Sequence, residues 1–247
     1  ALLHAVAVVK AGVFTVLKVS IYLFGIDVLA EIPITEWLAY LAGATILVAS
    51  LVALTQDNLK LRLAYSTVSQ LSYVILAVLL ASPAGVVGGA MHMFTHAFGK
   101  ITLFFCAGAI LVASHKTKVS ELAGIGRRMP WTMGAFTIGA LSMIGLPPTA
   151  GLISKWYILF GAFESEQAFS VGVIVVSTLL NAGYYLPIVY AAFFRSPEDG
   201  PGRPHVHGEA PLPVVAALIV TAVGTVALFF VPGLPLDLAE RLPGVGG

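Results

Sequence analysis

Seven stretches of this chain are apolar over a length close to the roughly 20 residues a helix needs to cross a bilayer. They lie near 2–24, 35–55, 61–81, 85–113, 131–163, 169–194 and 211–231. That feature leaves few folds open. In hydrocarbon every backbone polar group must be satisfied within the protein, so such stretches become helices packed on helices. The fold class read from the sequence is all-α: a polytopic, multi-pass membrane protein of about seven transmembrane helices. Only 10% of the 247 residues are charged and 58% are hydrophobic, against about 25% charged in a soluble domain. The solvent is therefore the lipid bilayer of a cell membrane, with a bacterial or archaeal cytoplasmic membrane expected. A net charge of +1 gives no reason to expect a nucleic-acid partner. Cys106 is the only cysteine, which excludes a disulfide framework or an iron–sulfur cluster carried by this chain alone. The opening Ala1-Leu2-Leu3-His4 has no charged leader. It does not read as a signal peptide, and the chain is expected to start part-way into a hydrophobic helix, as a fragment would.

The connections sort their charge. Between the second and third segments lie Lys60 and Arg62; between the fourth and fifth, Lys116, Lys118, Arg127 and Arg128; between the sixth and seventh, Arg195 and Arg203. The other side carries Arg241 among Asp27, Glu31, Glu36, Glu164, Glu166, Asp237 and Glu240. Positively charged loops stay in the cytoplasm, so the first segment runs outward and the C-terminus lies outside. Trp37 and Trp131 near segment starts fit an interfacial aromatic belt. The stretch 196–210 is polar and rich in Pro and Gly, a surface linker. Its His205 and His207 give two ligands, and two do not make a metal site.

The fifth segment is too long and is interrupted by Gly145-Leu146-Pro147-Pro148-Thr149-Ala150-Gly151. Proline removes a backbone donor and blocks continuous helix, so a discontinuous helix is expected, of the kind that flanks ion sites in transporters. The plain alternative is a proline kink. Pro187 is a milder version in the sixth segment.

Four lysines, Lys10, Lys18, Lys100 and Lys155, lie within apolar segments that hold no Asp or Glu. A charge at membrane depth is expensive and usually marks an ion or proton path. His92, His96 and Lys100 recur at four-residue steps, which drift about 40° each and so share one helix face over about 12 Å. Such a ladder of titratable groups can pass a proton through intervening water. A His pair at this spacing can also bind zinc, but no acid or thiol on the face completes a site, so no metal is expected. Interhelical hydrogen bonding would explain the histidines but not Lys100. Lys155 follows the break by one turn, and the dipole at the start of its half-helix disfavours a cation there. Snorkelling explains Lys155 less well, because Trp156-Tyr157-Ile158-Leu159-Phe160 stands on its far side. Lys10 is expected near mid-depth. His4, six residues earlier and about 240° around the helix, does not share its face. Lys18, nearer a helix end, fits snorkelling. Ser66, Ser69, Gln70 and Tyr73 in the third segment, with Asn181, Tyr184 and Tyr185 in the sixth, are candidates to hold waters or hydrogen-bond between helices.

These motifs resemble one family: the antiporter-like membrane subunits shared by Mrp-type Na⁺/H⁺ antiporters, respiratory complex I and membrane-bound hydrogenases. The matching stretches are Leu3-His4-Ala5 with Val9-Lys10-Ala11-Gly12, Asp57-Asn58-Leu59-Lys60 with Ala64-Tyr65-Ser66-Thr67-Val68-Ser69-Gln70, His92 to Lys100, and Gly145-Leu146-Pro147 with Ser154-Lys155. The resemblance implies a fold of about fourteen helices with two inverted five-helix repeats, each forming a half-channel. Residues 1–32 would then be the last helix of the first repeat plus a connection. Residues 33–195 would be the second repeat, and 196–247 a linker and terminal transmembrane helix. It assigns Lys10 to the centre between half-channels, Lys100 with His92 and His96 to an axial relay, and Lys155 to the exit on the broken helix. His4, Ser66, Gln70, Tyr73, Pro147, Pro148 and Asn181 are expected to support these residues. The family's Glu–Lys pair of the first repeat is absent here, so this chain alone is not expected to complete transport.

The function this implies is proton translocation in a multisubunit monovalent cation/proton antiporter, because Leu152-Ile153-Ser154-Lys155-Trp156-Tyr157 is most similar to the branch of Mrp D-type and hydrogenase-type subunits. Other membrane subunits, H⁺ and either Na⁺ or K⁺ are the partners, and no cofactor is expected. The first alternative is a proton-pumping subunit of an NADH–quinone oxidoreductase or membrane hydrogenase, with the redox chemistry in partner chains. The second is a structural subunit that no longer conducts.

Overall fold

The structure, a computed structural model, describes residues 8–196 and 208–245. Among these residues it is helical, with one isolated antiparallel bridge and no strand. The first segment becomes α1, Val8–Val19, continued by a π-helical turn at Ser20–Phe24 and ended by Gly25 at φ 79°. A short α2, Ile26–Glu31, leads to α3, Pro33–Thr55. Then come α4, Leu59–Leu79, and α5, Pro83–Ser114. The fifth segment divides into α6, Pro130–Ile144, and α7, Gly151–Glu164, as the glycine–proline stretch predicts. The chain closes with α8, Ala168–Phe194, and α9, Leu212–Phe230, followed by a short α10, Gly233–Glu240, that the hydrophobic pattern does not announce. Five of these, α3, α4, α5, α8 and α9, are each long and apolar enough to cross a membrane. α8 runs unbroken through Pro187, so the interruption expected there is not found. His4, His205, His207 and Arg203 lie outside the described residues.

Local chemistry sets the boundaries. Pro opens α3, α5 and α6 at positions where its missing N–H has no partner to lose. Asn58 Oδ1 accepts the N–H of Leu61 at 3.0 Å and Ser82 Oγ that of Gly85 at 3.1 Å, capping α4 and α5.

The 32-residue α5 is the axis of the bundle, touching α4, α6, α7, α9 and α10. Glycine makes its closest approach to α7 possible. A Cβ on Gly88 would stand 2.6 Å from the Ile158 nitrogen, and one on Gly161 2.5 Å from that of Gly85. Small residues that let helix backbones meet are the means of association where no water drives helices together. Leu23, Trp37, Trp131 and Phe194 are exposed, as a lipid-facing surface permits.

The positively charged connections gather at one end, as the charge sorting predicts. The N–H of Leu59 donates to Thr117 O at 2.9 Å and that of Val119 to Asp57 O at 2.7 Å. Ser120 donates its N–H at 2.9 Å and its hydroxyl at 2.8 Å to the Asp57 carboxylate, and these bonds hold that carboxyl below its ordinary range. Glu209 accepts the N–H of Trp131 at 2.7 Å and the Thr132 hydroxyl at 2.6 Å, fastening the last linker to the start of α6. One residue departs from the pattern. Arg62, counted by its sequence position as a loop cation, lies in the first turn of α4 and is buried.

Candidate functional site

The polar side chains of interest gather largely around α5. His92, His96 and Lys100 are all buried on one inward face, at 1%, 0% and 0% exposure. The 3.6-residue period places them there, because residues four apart lie above one another. Lys155, on α7, is 5% exposed. Lys10 on α1 is half-buried with its Nζ enclosed. Lys18 is exposed, the position snorkelling calls for.

Lys100 is fully engaged. Its Nζ donates to Leu63 O at 3.1 Å, to the Tyr185 hydroxyl at 3.0 Å and to Ser66 Oγ. Three acceptors match the three donors of an ammonium group. Ser66 and Tyr185 also bond each other at 3.0 Å, closing a compact α4–α5–α8 knot. His92 Nδ1 meets Ser154 Oγ of α7 at 2.9 Å, and Thr95 Oγ1 meets the same hydroxyl at 3.1 Å. The Tyr73 ring stands between His92, with centroids 5.6 Å apart, and Lys155, whose Nζ lies 5.1 Å from the ring centroid. His92 and His96 ring centroids are 6.0 Å apart. The sequence of groups is thus Lys155, Tyr73, His92, His96 and Lys100.

The break between α6 and α7 has a definite chemical consequence. In an uninterrupted helix the carbonyls of Met143 and Ile144 would accept from residues 147 and 148. Both are prolines and have no N–H. The freed Met143 O accepts from Gln70 Nε2 at 3.4 Å and from Asn181 Nδ2 at 3.3 Å, while Ile144 O accepts from Lys155 Nζ at 3.0 Å. The two prolines themselves are exposed; their effect on the site comes through these carbonyls. The expectation for Lys155 is also corrected. Its amine reaches back across the break to the C-terminal end of α6, the negative end of that helix dipole, and does not rest on the positive start of α7. The turn is tight: Gly145 takes φ 91° as the αL cap of α6, and a Cβ on Gly151 would lie 1.8 Å from Ser142 O.

Among the described residues, six buried side-chain atoms have no hydrogen-bond partner: Lys10 Nζ, Gln70 Oε1, His92 Nε2, both ring nitrogens of His96, and Ser142 Oγ. Leaving such groups unmade is costly, and their concentration along one axis marks where polar function is held. No group of three metal-ligating side chains occurs among the described residues.

Sequence reasoning missed Thr95, Ser154, Ser177 and the backbone acceptors Leu63 O, Met143 O and Ile144 O. The last two could have been found by counting back four residues from Pro147 and Pro148. Ser154 was visible only as the neighbour of Lys155. Tyr73 bonds Ser177 of α8, a contact across more than a hundred residues that no spacing reveals. His4 lies outside the described residues.

Residues 1–181 match the sequence model of the family described as NADH:quinone oxidoreductase/Mrp antiporter, TM. The chain is 37% identical over 205 residues to NADH-quinone oxidoreductase subunit N of Desulforudis audaxviator, covering 79% of this chain and 41% of that protein. It is 36% identical over 194 residues to NADH-quinone oxidoreductase subunit L of Rickettsia bellii, covering 78% of this chain and 29% of that protein. It thus spans less than half the length of these relatives. Its fold superposes on a chain in the structure of the Mrp complex from Dietzia sp. with a TM-score of 0.84 at 23% identity, covering 96% of this chain and 52% of that one.

Proposed function

Because this chain belongs to the NADH:quinone oxidoreductase/Mrp antiporter membrane-subunit family, we propose that it forms one half-channel of a proton-translocating subunit within a multisubunit membrane complex. The observation that carries this is the buried succession Lys155, Tyr73, His92, His96, Lys100, with Lys10 Nζ also buried and without a hydrogen-bond partner among the described residues. His92 Nε2 and both ring nitrogens of His96 have no hydrogen-bond partner among the described residues, so a proton passes between these groups through bridging water. Lys100 is the anchored station, Lys155 the station on the broken helix, and His96 with His92 the links between them. The supporting side chains act on these stations: Ser66 on Lys100, Tyr73 beneath Lys155, Gln70 and Asn181 on the carbonyl freed by Pro147. Lys100→Ala or Lys155→Ala in the full-length protein abolishes coupled proton transport while the complex still assembles; normal transport by either variant would sink the site assignment.

Two assemblies fit this reading. The stretch Leu152 to Tyr157 resembles the Mrp D-type branch, where transport of H⁺ is exchanged for Na⁺ or K⁺. The sequence relatives at 36–37% identity are subunits of NADH-quinone oxidoreductases, which favours a redox-driven pump with the cofactors in partner chains. Purifying the intact complex from its native membrane separates them. Co-purifying iron–sulfur or flavin absorbance selects the redox complex, and small membrane subunits without such absorbance select the antiporter.

A further inference from the structure

Among the described residues Arg62 is the one buried arginine, and the relay just described does not use it. It is 9% exposed, although Lys60, two residues earlier, is exposed. Its guanidinium is held by backbone carbonyls of α3, of α8 and of the turn between α3 and α4: Nε donates to Gln56 O at 2.8 Å, Nη1 to Tyr184 O at 3.1 Å and Nη2 to Leu54 O at 3.4 Å. Arg62 lies one helical turn before Ser66 on the same face of α4, and Ser66 holds Lys100. Tyr184, which receives Arg62, precedes Tyr185, which receives Lys100. The guanidinium therefore stands between the Lys100 knot and the connections at the positively charged end of the bundle. Asp57, the carboxylate that acts on Arg62 from that end, is itself engaged by Ser120.

We propose that Arg62 is a fixed positive barrier that seals the relay on the loop side of Lys100. The inference rests on the proton-translocating reading above. A guanidinium does not deprotonate in proteins and so cannot pass a proton on. Fixed positive charge from an arginine is a recognised means of excluding protons and cations from a pore. With Arg62 in place, a proton on Lys100 communicates only with His96 and the interior, and the half-channel has one mouth, on the side of Lys155. Carbonyls hold the guanidinium where a carboxylate would cancel its charge, so the barrier keeps its sign while its donors are satisfied.

The test uses the assembled complex carrying the full-length chain, reconstituted in proteoliposomes with a proton-sensing dye inside and a potassium diffusion potential across the membrane. Arg62→Gln keeps amide donors and removes the charge; passive proton leak rises about ten-fold. Arg62→Lys keeps the charge with poorer geometry and stays close to the unsubstituted leak. The double variant Arg62→Gln/Lys100→Ala returns to the tight state, because the leak passes through Lys100. No rise in Arg62→Gln, equal leak in Arg62→Gln and Arg62→Lys, or a leak that survives loss of Lys100 overturns the barrier. Arg62→Met, which keeps an aliphatic stem, serves as the second neutral variant; failure of both neutral variants to assemble makes Arg62 a structural clamp and also overturns it. If the unsubstituted complex moves no protons when driven, the proton-translocating reading itself fails. A transporting complex whose Arg62→Gln vesicles stay tight refutes only the barrier.

Discussion

Lys100 and His96 sit one turn apart on α5, and each is 0% exposed, yet they are held in opposite ways. Lys100 has an acceptor for each of its three donors, drawn from α4 and α8. His96 has no partner on either ring nitrogen among the described residues. A satisfied buried group is fixed, because moving it forfeits bonds that cannot be remade in an apolar interior. An unsatisfied ring can turn and take up water without that penalty. The pair therefore combines a fixed post with a movable link, the combination that the proposed relay calls for.

The frame that holds both offers the largest test. Gly151→Ala would push a methyl group to within 1.8 Å of Ser142 O. The obstructing atoms are the Ser142 backbone, which cannot swing aside as a side chain can, so the expected destabilisation is about 3 kcal/mol or more. It would be read as loss of assembled complex or a fall in its melting temperature in detergent. A normal melting temperature would mean the break is looser than its geometry indicates.

The comparison itself is sharpened by paired substitutions. Tyr185→Phe removes one acceptor from Lys100 and is expected to cost about 1–2 kcal/mol, with slowed transport. His96→Leu removes no hydrogen bond; stability should stay within about 1 kcal/mol while transport is lost. If His96→Leu proves the more destabilising of the two, the contrast between post and link is wrong.

The smallest effect is expected at the exposed end. The Asp57 carboxyl is held below its ordinary value near 4 by the Ser120 N–H and hydroxyl. A depressed carboxyl contributes stability that is present above the unfolded value and is lost as pH falls through the folded one. Asp57→Asn should therefore be slightly less stable than the parent at pH 7, and the gap should close as pH falls through the carboxylate range, so that the variant loses less thermal stability to acid than the parent does. A variant as acid-labile as the parent would show that the Asp57–Ser120 contact is not one of the bonds acid breaks.

Much of the site was legible in the chain. The four-residue spacing of His92, His96 and Lys100 suffices to put them on one face, since helical period is a local property. The glycine–proline stretch announced the division into α6 and α7, and counting back from Pro147 and Pro148 identifies the carbonyls they free. Arg62 was misread for a local reason too: charge counting assigns residues between apolar runs to loops, while α4 begins three residues earlier, at Leu59, and turns Arg62 inward.

The sequence by itself determined the helical class, the long apolar segments and the break in the fifth of them, the sorting of charge, and the line of titratable groups along α5. These follow from period, hydropathy and proline chemistry, which act within a few residues. Only the tertiary structure decided who meets whom. Ser66 and Tyr185 close on Lys100, Ser154 bonds His92, and Lys155 crosses the break to Ile144 O. Those pairings depend on how helices distant in the chain rotate and slide as their small residues let them approach. In a bundle without water between helices, that packing is set by the whole surface of each helix, and no single stretch encodes it.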